Sequence, residues 1–237
     1  MSHPERIVPD ETEPGVVALH LKRYEFALPF CEGKDVLDGA CGVGYGSALL
    51  ATRARRVLGV DRSAEAIAYA RRRYSGANLE FAEMELDGLE VEQGSFDVVC
   101  AFETIEHLDD RDAYLAEVRR VLRPDGVYVA STPQVARTTE APENPFHRVE
   151  YSRADFEALL RRYFGSVSLY GQRRRQTRRH RAMQRLDVLG LRRRLGFLRR
   201  ASVALGTAPT AELTSDDLVI SADGLEAASE LVAVCRP

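Results

Sequence analysis

Short apolar runs alternate with amphipathic segments along most of this chain. A short run of apolar residues bounded by glycine, proline or charged residues is typical of a buried strand. Such runs occur at residues 35–38, 57–61, 79–81, 96–101, 127–130, 167–170 and 231–235. Segments with apolar residues at helical spacing precede or separate them, at residues 16–30, 46–52, 63–74, 110–122 and 155–164.

This alternation predicts the fold class. Strand–helix units in succession imply a parallel sheet with helices on both faces, the doubly wound arrangement of α/β proteins. We therefore expect a single domain over residues 1–237, built on a mostly parallel sheet of seven strands. In this prediction residues 1–34 form a helical lead-in, and residues 173–210 form a basic helical insertion before the last strand.

Composition is typical of a globular protein in a reducing compartment. Of the 237 residues, 45% are hydrophobic and 29% are charged, which excludes wholesale disorder. The four cysteines are scattered without a Cys-x-x-Cys pair, which indicates free thiols rather than a zinc site or a disulfide framework. No apolar run approaches the roughly 18 residues of a spanning helix, and the first residues lack a secretory pattern. We expect a cytoplasmic protein without a transmembrane segment.

The net charge of −3 conceals one strongly basic segment. From Arg173 to Arg200 there are twelve arginines and a single acid, Asp187, so this segment carries +11 and the remaining residues carry −14. A concentrated basic segment usually contacts an anion. A phosphate, an anionic surface and the acidic body of the protein itself are the contacts we expect. Nucleic acid is a weaker expectation, because Phe197 is the only aromatic residue of the segment.

A glycine-bearing turn follows the first predicted strand. Gly39, Gly42 and Gly44 let the backbone approach a ligand closely, and ligands of open parallel sheets bind beyond the carboxyl ends of the strands. Asp61 ends the second strand, where an acid can bind the hydroxyls of a ribose. Enzymes that use NAD share these features. Asp38, however, stands before the first glycine and suits a ligand with an ammonium group and no pyrophosphate.

Four motifs resemble those of class I S-adenosylmethionine-dependent methyltransferases. Val-Leu-Asp-Gly-Ala-Cys-Gly-Val-Gly at residues 36–44 is similar to the family's first motif, usually Asp-x-Gly-Cys-Gly-x-Gly. Asp61, then Gly-Ser-Phe-Asp-Val-Val at residues 94–99 and Leu-Arg-Pro-Asp-Gly at residues 122–126, follow in the family's order and spacing. The resemblance covers about residues 35–135. It implies a Rossmann-like sheet whose last strand is antiparallel.

The same resemblance implies S-adenosylmethionine as the cofactor and assigns residues to it. Asp38 would lie near the amino-acid part of the cofactor, and Asp61 would bind its ribose. Gly39-Ala40 departs from the usual pattern of a residue followed by glycine, and Met84-Glu85 replaces an aspartate that commonly contacts the adenine amine. The full set of cofactor-binding residues implied in this way is Asp38, Gly39, Ala40, Gly42, Gly44, Asp61, Arg62, Met84, Glu85 and Phe102.

Acidic and histidine side chains follow the fourth predicted strand. Glu103, Glu106 and His107 have the i, i+3, i+4 spacing that places side chains on one helical face, and His147 lies in a later loop at the same sheet edge. Methyl transfer to a hydroxyl needs a base, and we expect His107, together with Glu106, to supply it. Alternatively, these four side chains bind a divalent cation such as Mg²⁺, which would hold and acidify an acceptor oxygen. The other histidines are expected at the surface: His3, His20 and His180.

Further resemblances concern the acceptor. Glu-Arg-Ile-Val-Pro-Asp at residues 5–10, Asn-Pro-Phe-His at residues 144–147 and the segment 231–237 are similar to bacterial sugar O-methyltransferases. That resemblance implies a small-molecule or saccharide acceptor: a saccharide, glycoside or nucleotide-linked sugar. Glu-x-x-Glu-His with a distant histidine also resembles small-RNA 3′-terminal ribose 2′-O-methyltransferases, which use the pattern for a metal. An RNA ribose is therefore the second hypothesis, and a non-catalytic cofactor-binding regulator is the third.

Overall fold

The computed structural model of the chain describes residues 6–175 and 213–237. Its strands are β1 Asp35–Gly39, β2 Arg56–Asp61, β3 Leu79–Glu83, β4 Phe96–Phe102, β5 Leu122–Pro133, β6 Ser166–Arg174, β7 Leu218–Ser221 and β8 Glu230–Arg236. Its α-helices are α1 Pro14–Cys31, α2 Tyr45–Leu50, α3 Ala64–Arg73, α4 Arg111–Val121 and α5 Arg153–Arg161.

The strands form one sheet in the order β3-β2-β1-β4-β5-β8-β6-β7. Strands β1 to β5 pair in parallel, and β8 lies antiparallel between β5 and β6. The expected mostly parallel, Rossmann-like sheet with an antiparallel last strand is confirmed. The strand order reverses between β1 and β4. Because β1, β2 and β4 are parallel, their carboxyl ends lie at the same edge of the sheet.

The sheet has one strand more than predicted, and β6 extends into the first two residues of the predicted basic insertion. The additional strand is β7, which has only four residues and pairs antiparallel with β6 at the sheet edge. Arg173 and Arg174 belong to β6, where they pair with Val219 and Leu218, so the helix expected from residue 173 does not start there. Residues 176–212, and with them most of the predicted insertion, lie outside the described residues.

Apolar side chains cover both faces of the sheet. Side chains alternate along a strand, so Val98 and Cys100 of β4 pack with α1 and α2, whereas Val99 and Ala101 pack with α4 and α5. A strand that is buried on both faces needs apolar residues at every position. This is why the strands are visible in the sequence as continuous apolar runs.

The helices begin and end within a few residues of their predicted limits. Ser63 is the N-cap of α3, as expected, and its Oγ accepts the backbone N–H of Ala66 at 3.3 Å. Helix α1 continues past Pro29 to Cys31, and α4 ends at Val121, just before the expected stop. Within the two described ranges, none of the helices is both long and apolar enough to cross a membrane.

Candidate active site

The turn after β1 has the backbone that its sequence requires. Gly42 and Gly44 adopt positive φ angles of 56° and 85°, a region that residues with a Cβ rarely enter. A Cβ at Gly44 would lie 2.7 Å from the ring of Phe81, so this glycine is also required by packing. A Cβ at Gly42 would meet no atom of the described residues within 4 Å, which leaves the turn open to a ligand. Ala40, at the departure from the family pattern, has a positive φ of 54° despite its side chain.

Asp38 lies at the carboxyl end of β1 and is fully buried. Its carboxyl group accepts hydrogen bonds from Ser47 Oγ at 2.6 Å and from Tyr24 Oη at 3.2 Å. Burial raises the pKa of Asp38 to about 7, although both hydrogen bonds favour the ionised form. A buried carboxyl group without a cationic hydrogen-bond partner suits the ammonium group that the sequence predicts there.

Asp61 ends β2 and holds the turn in place. Its two carboxylate oxygens accept the backbone N–H groups of Gly42 and Ser63, each at 2.9 Å. The structure therefore gives this aspartate a role in the turn itself, and its contact with a ribose stays a prediction.

A pocket of about 290 Å³ opens beside the carboxyl ends of β2 and β3. It contains three of the predicted cofactor residues, Arg62, Met84 and Glu85. Asp38, the turn and this pocket all lie near the carboxyl ends of β1 to β3, the edge at which the sequence predicts the cofactor. Phe102, at the end of β4, packs edge to face against Tyr24 with 4.8 Å between ring centroids.

The predicted helical face after β4 is wrong. Only Ile105–His107 form a single 3₁₀ turn, and Glu103 has a positive φ of 50° before it. Glu103 instead accepts a hydrogen bond from Ser131 Oγ at 2.7 Å and lies 3.5 Å from the guanidinium of Arg23. Ser131, which contacts Glu103, and Thr132, which contacts Glu106, are adjacent on β5 and their side chains alternate, so the two glutamates form their hydrogen bonds on opposite faces of the sheet.

Glu106, His107 and His147 come together, as the sequence predicts for three of its four proposed metal ligands. One ligand atom from each of them lies within 4.8 Å of the others. The two imidazole rings meet edge to face, with 4.8 Å between their centroids.

Hydrogen bonds determine the tautomer of both histidines. His107 Nδ1 lies 3.1 Å from the carbonyl oxygen of Phe146, and His147 Nδ1 lies 2.8 Å from a carboxylate oxygen of Glu150. Both of these oxygens accept only, so each Nδ1 carries the proton and each Nε2 carries the basic lone pair. His147 Nε2 accepts from the side-chain amide of Asn144 at 3.0 Å.

Glu106 is fully buried beneath the histidines. One carboxyl oxygen accepts from Thr132 Oγ1 at 3.1 Å, and the other has no hydrogen-bond partner within the described part of the chain. Burial, reinforced by the nearby charge of Glu103, raises the pKa of Glu106 well above its ordinary value. Its backbone carbonyl accepts from the amide of Arg148 at 2.7 Å, which attaches the histidine-bearing loop to the 3₁₀ turn.

Helix α1 supplies side chains that the sequence analysis assigned only to a lead-in. Arg23 and Tyr24 are buried, and the Nε and Nη1 atoms of Arg23 have no hydrogen-bond partner among the described residues. The available signal was the helical spacing of Leu19, Arg23 and Ala27, which puts a charged residue on an apolar stripe.

The surface assignment of His20 is also corrected. His20 is partly buried on α1, and burial, followed by the charge of Arg23, lowers its pKa to about 3, so the ring is neutral. His3 and His180 lie outside the described residues.

A larger depression, of about 600 Å³, lies at the opposite edge of the sheet. Arg55 and Arg123 line it, and both guanidinium groups are paired with carboxylates. Arg55 donates to Asp35 at 2.6 Å, and Arg123 lies 2.6 Å from Asp97 and 3.2 Å from Asp35. Charges that are already neutralised within the fold leave little to attract a charged ligand.

An open sheet with a glycine turn after β1, acids at the ends of β1 and β2 and a pocket beside β3 defines a Rossmann-like domain for a nucleoside-containing cofactor. Residues 37–130 match the methyltransferase domain family. This match covers 94 of the 237 residues and agrees with the resemblance of the chain to class I S-adenosylmethionine-dependent methyltransferases.

Relatives and solved structures agree with this family. A probable S-adenosylmethionine-dependent methyltransferase of Mycolicibacterium smegmatis is 39% identical over 140 residues, which are 58% of this chain and 54% of that protein. A fatty-acid O-methyltransferase of the same species is 40% identical over 101 residues, 41% of this chain and 36% of that protein. The chain thus spans only about half the length of the curated relatives it matches first.

Among solved structures, an S-adenosylmethionine-dependent methyltransferase from Thermotoga maritima superimposes with a TM-score of 0.65 at 14% identity. The alignment covers 94% of this chain and 91% of that one. At this identity the likeness supports the fold alone.

Proposed function

We propose that this protein transfers the methyl group of S-adenosylmethionine to a hydroxyl oxygen of a saccharide, a glycoside or a nucleotide-linked sugar. The observation that carries the proposal is His107, whose Nδ1–H is held by the Phe146 carbonyl so that Nε2 is the basic nitrogen. A neutral hydroxyl must lose its proton during methyl transfer, and an oriented imidazole is a suitable acceptor for it.

The chain's own residues fit the cofactor. The carboxyl group of Asp38 would face its ammonium group, the backbone at Gly42 would lie beneath it, and the pocket of Arg62, Met84 and Glu85 would receive its nucleoside. The bound cofactor supplies an already activated methyl group, so the protein has to align the acceptor and remove one proton.

In the proposed reaction His107 would take up the hydroxyl proton at Nε2 as the acceptor oxygen receives the methyl group. The bond between the methyl carbon and the cofactor sulfur would break in the same step, and S-adenosylhomocysteine would leave. The imidazole then carries a positive charge, which the Phe146 carbonyl stabilises through Nδ1–H. The proton leaves to solvent from the partly exposed ring. Glu106 lies buried beside this site with a raised pKa, and its neutral form donates a hydrogen bond to an acceptor oxygen.

Two arguments support a hydroxyl acceptor over other acceptors. The fatty-acid O-methyltransferase relative acts, by its name, on an oxygen. A fatty-acid carboxylate is already ionised near neutral pH and needs no base, whereas the histidine pair of this chain is suited to removing a proton. The choice of a sugar rests on the resemblance of residues 5–10, 144–147 and 231–237 to sugar O-methyltransferases. An RNA 3′-terminal ribose is the alternative acceptor with the same chemistry.

A divalent cation at Glu106, His107 and His147 is a second proposal for the same site. Metal-bound histidines usually donate their other N–H to a carbonyl or a carboxylate, and Phe146 and Glu150 provide these acceptors here. The unpartnered carboxyl oxygen of Glu106 would be the third ligand. Such an ion would hold an acceptor oxygen and lower its pKa. Binding requires Glu106 to lose its proton and Asn144 to leave His147 Nε2.

The test is an acceptor screen with methyl-labelled cofactor. The panel contains free sugars, glycosides, nucleotide-linked sugars, a fatty acid and RNA with a 3′-terminal ribose, each with EDTA and then with Mg²⁺, Mn²⁺ or Zn²⁺ restored. Label on a sugar hydroxyl supports the first proposal, and label only on RNA selects the alternative. Turnover that chelation leaves unchanged contradicts the metal, and cofactor binding without turnover on any acceptor favours a regulator.

A further inference from the structure

We infer that Tyr24, on α1 and outside the matched domain, is a positioning residue that holds Asp38 ionised and oriented for the amino-acid part of the cofactor. The inference rests on the proposed use of S-adenosylmethionine. It makes the N-terminal helix part of the cofactor site.

The first observation is the contact itself. The hydroxyl of Tyr24 lies 3.2 Å and 3.4 Å from the two carboxyl oxygens of Asp38, and Ser47 Oγ lies 2.6 Å from one of them. All three side chains are inaccessible or nearly so, which means that water does not substitute for either donor. A buried carboxylate is stable only as far as neighbouring donors satisfy it, so each hydroxyl supports the ionised form.

The second observation is that the Tyr24 ring has a fixed position. A Cβ at Gly46 would fall 1.9 Å from the ring, so α2 approaches as closely as glycine permits. Phe102 of β4 and Tyr45 of α2 contact the same ring edge to face, at 4.8 Å and 5.9 Å between centroids. Packing from two sides thus determines where the hydroxyl points, and it points at Asp38.

The third observation is the set of groups that face Asp38 from the surrounding elements. They are Tyr24 from α1, Ser47 and Tyr45 from α2, Cys41 from the turn, Cys100 from β4 and Asp61 from β2. Burial raises the pKa of Cys41, and a hydrogen bond that the Cys100 thiol donates to Cys31, together with burial, raises that of Cys100, so both thiols stay neutral. The charged neighbour that acts on Asp38 is Asp61, which opposes its ionisation. The two hydroxyl donors are therefore the main support for the charged form before the cofactor binds.

The experiment compares Tyr24→Phe, which keeps the ring and removes only the hydroxyl, with the natural protein by calorimetric titration. Two ligands are used: S-adenosylhomocysteine, which has the amino-acid part, and 5′-methylthioadenosine, which lacks it. We expect Tyr24→Phe to weaken S-adenosylhomocysteine binding about tenfold near neutral pH. The loss shrinks as the pH rises to about 9, since Asp38 then ionises without the missing donor. Binding of 5′-methylthioadenosine stays unchanged.

Tyr45→Phe is the matched control, because Tyr45 belongs to the same aromatic cluster but forms no hydrogen bond with Asp38 that the described structure records; it should bind both ligands normally. Ser47→Ala should reproduce the loss for S-adenosylhomocysteine alone. Equal weakening of both ligands by Tyr24→Phe, or no weakening of either, overturns the inference. If the natural protein fails to bind S-adenosylhomocysteine at all, the proposed function fails instead.

A ligand-free measurement checks the same point. The carboxyl ¹³C resonance of Asp38 is followed through a pH titration in the natural protein and in Tyr24→Phe, with thermal unfolding to verify that both are folded. We expect the midpoint to move to higher pH in the variant. An unchanged midpoint assigns Tyr24 to packing only.

Discussion

Asp35 and Asp38 belong to the same strand, β1, and end up in opposite electrostatic environments. Asp35, at the amino edge of the sheet, accepts hydrogen bonds from Arg55 and Arg123, and chiefly the Arg55 bond lowers its pKa. Asp38, at the carboxyl edge, has only hydroxyl donors, and burial raises its pKa to about 7. The two aspartates are three residues apart on one strand. Arginine side chains neutralise the carboxylate of Asp35, whereas the described residues supply no cationic hydrogen-bond partner to that of Asp38.

The same difference between the amino and carboxyl edges is found on β4, the strand next to β1 in the sheet. Burial opposes the ionisation of Asp97 at the start of β4, but hydrogen bonds from Arg123 and from the backbone of Asp35 outweigh it and lower the pKa. Glu106, just beyond the end of β4, is buried with one unpartnered oxygen and a raised pKa. Perturbed, uncompensated carboxyl groups mark functional sites more often than paired ones do. We therefore expect the smaller pocket, rather than the larger depression at the amino edge, to belong to the active site.

The largest expected effect is on methyl transfer, which should depend on residues at the carboxyl edge of the sheet and not on residues at the amino edge. His107→Gln retains the size and the hydrogen-bonding capacity of the side chain but cannot accept a proton. We expect turnover on the acceptor found in the screen to fall about 10²- to 10⁴-fold, while S-adenosylhomocysteine binding remains, as measured by methyl-label transfer and calorimetry. Full turnover in this variant would remove the base from the proposed mechanism.

The control for this prediction is Asp35→Asn at the amino edge. Asp35 touches none of the proposed cofactor or acceptor residues, so turnover of the folded variant should match the natural protein. A comparable loss in both variants would mean that the two edges are not functionally distinct.

The second prediction concerns the pH dependence of stability at Asp38, where ionisation of the carboxyl group destabilises the folded protein. Because the folded-state pKa of Asp38 is raised, the natural protein is stabilised by this group below about pH 4 and loses that stability as the pH rises towards 7. With about 1.4 kcal/mol per unit, the loss is on the order of 3–4 kcal/mol. The Asp38→Asn variant should not lose stability in this way, because its amide does not ionise.

Urea unfolding between about pH 4 and pH 8 measures this pH-dependent change in the unfolding free energy. The difference in unfolding free energy between Asp38→Asn and the natural protein should grow with pH in favour of the variant. The same variant should bind S-adenosylhomocysteine poorly. A difference that is constant with pH would show that Asp38 does not titrate in this window.

The third and smallest effect is the pH dependence of stability at Asp35, which has the opposite sign to that at Asp38. Its folded-state pKa is lowered, so its contribution is present above about pH 4 and disappears as the pH falls through the folded value. Asp35→Asn should lower the unfolding free energy by about 1–2 kcal/mol at neutral pH, a modest amount because the Arg55 side chain is 61% exposed. Once the pH has fallen through the lowered folded-state pKa of Asp35, the variant and the natural protein should converge. A variant that is more stable at neutral pH would contradict the pairing.

Much of the fold was predictable because it depends on local spacing. The apolar runs of β1, β4, β5 and β8 follow from burial on both faces, and the N-cap at Ser63 follows from residue type alone. β7 was missed because four residues at a sheet edge, one of them polar, have no pattern that distinguishes them from a loop. Arg173 and Arg174 were assigned to a helix because charge composition does not distinguish the end of a strand from a helix.

The sequence by itself determined the methyltransferase resemblance, the glycine turn after β1 and the identity of the chemical groups, since these depend on residue type and order along the chain. Glu106, His107 and His147 were named correctly as neighbours because strand ends in a parallel sheet meet at one edge. Only the tertiary structure decided that Glu103 turns away to Ser131 and that α1 brings Arg23 and Tyr24 into the site. The charge states of Asp35 and Asp38 were decided there too. Their side chains are identical, and what differs is the burial and the partners that distant segments bring to each end of one strand.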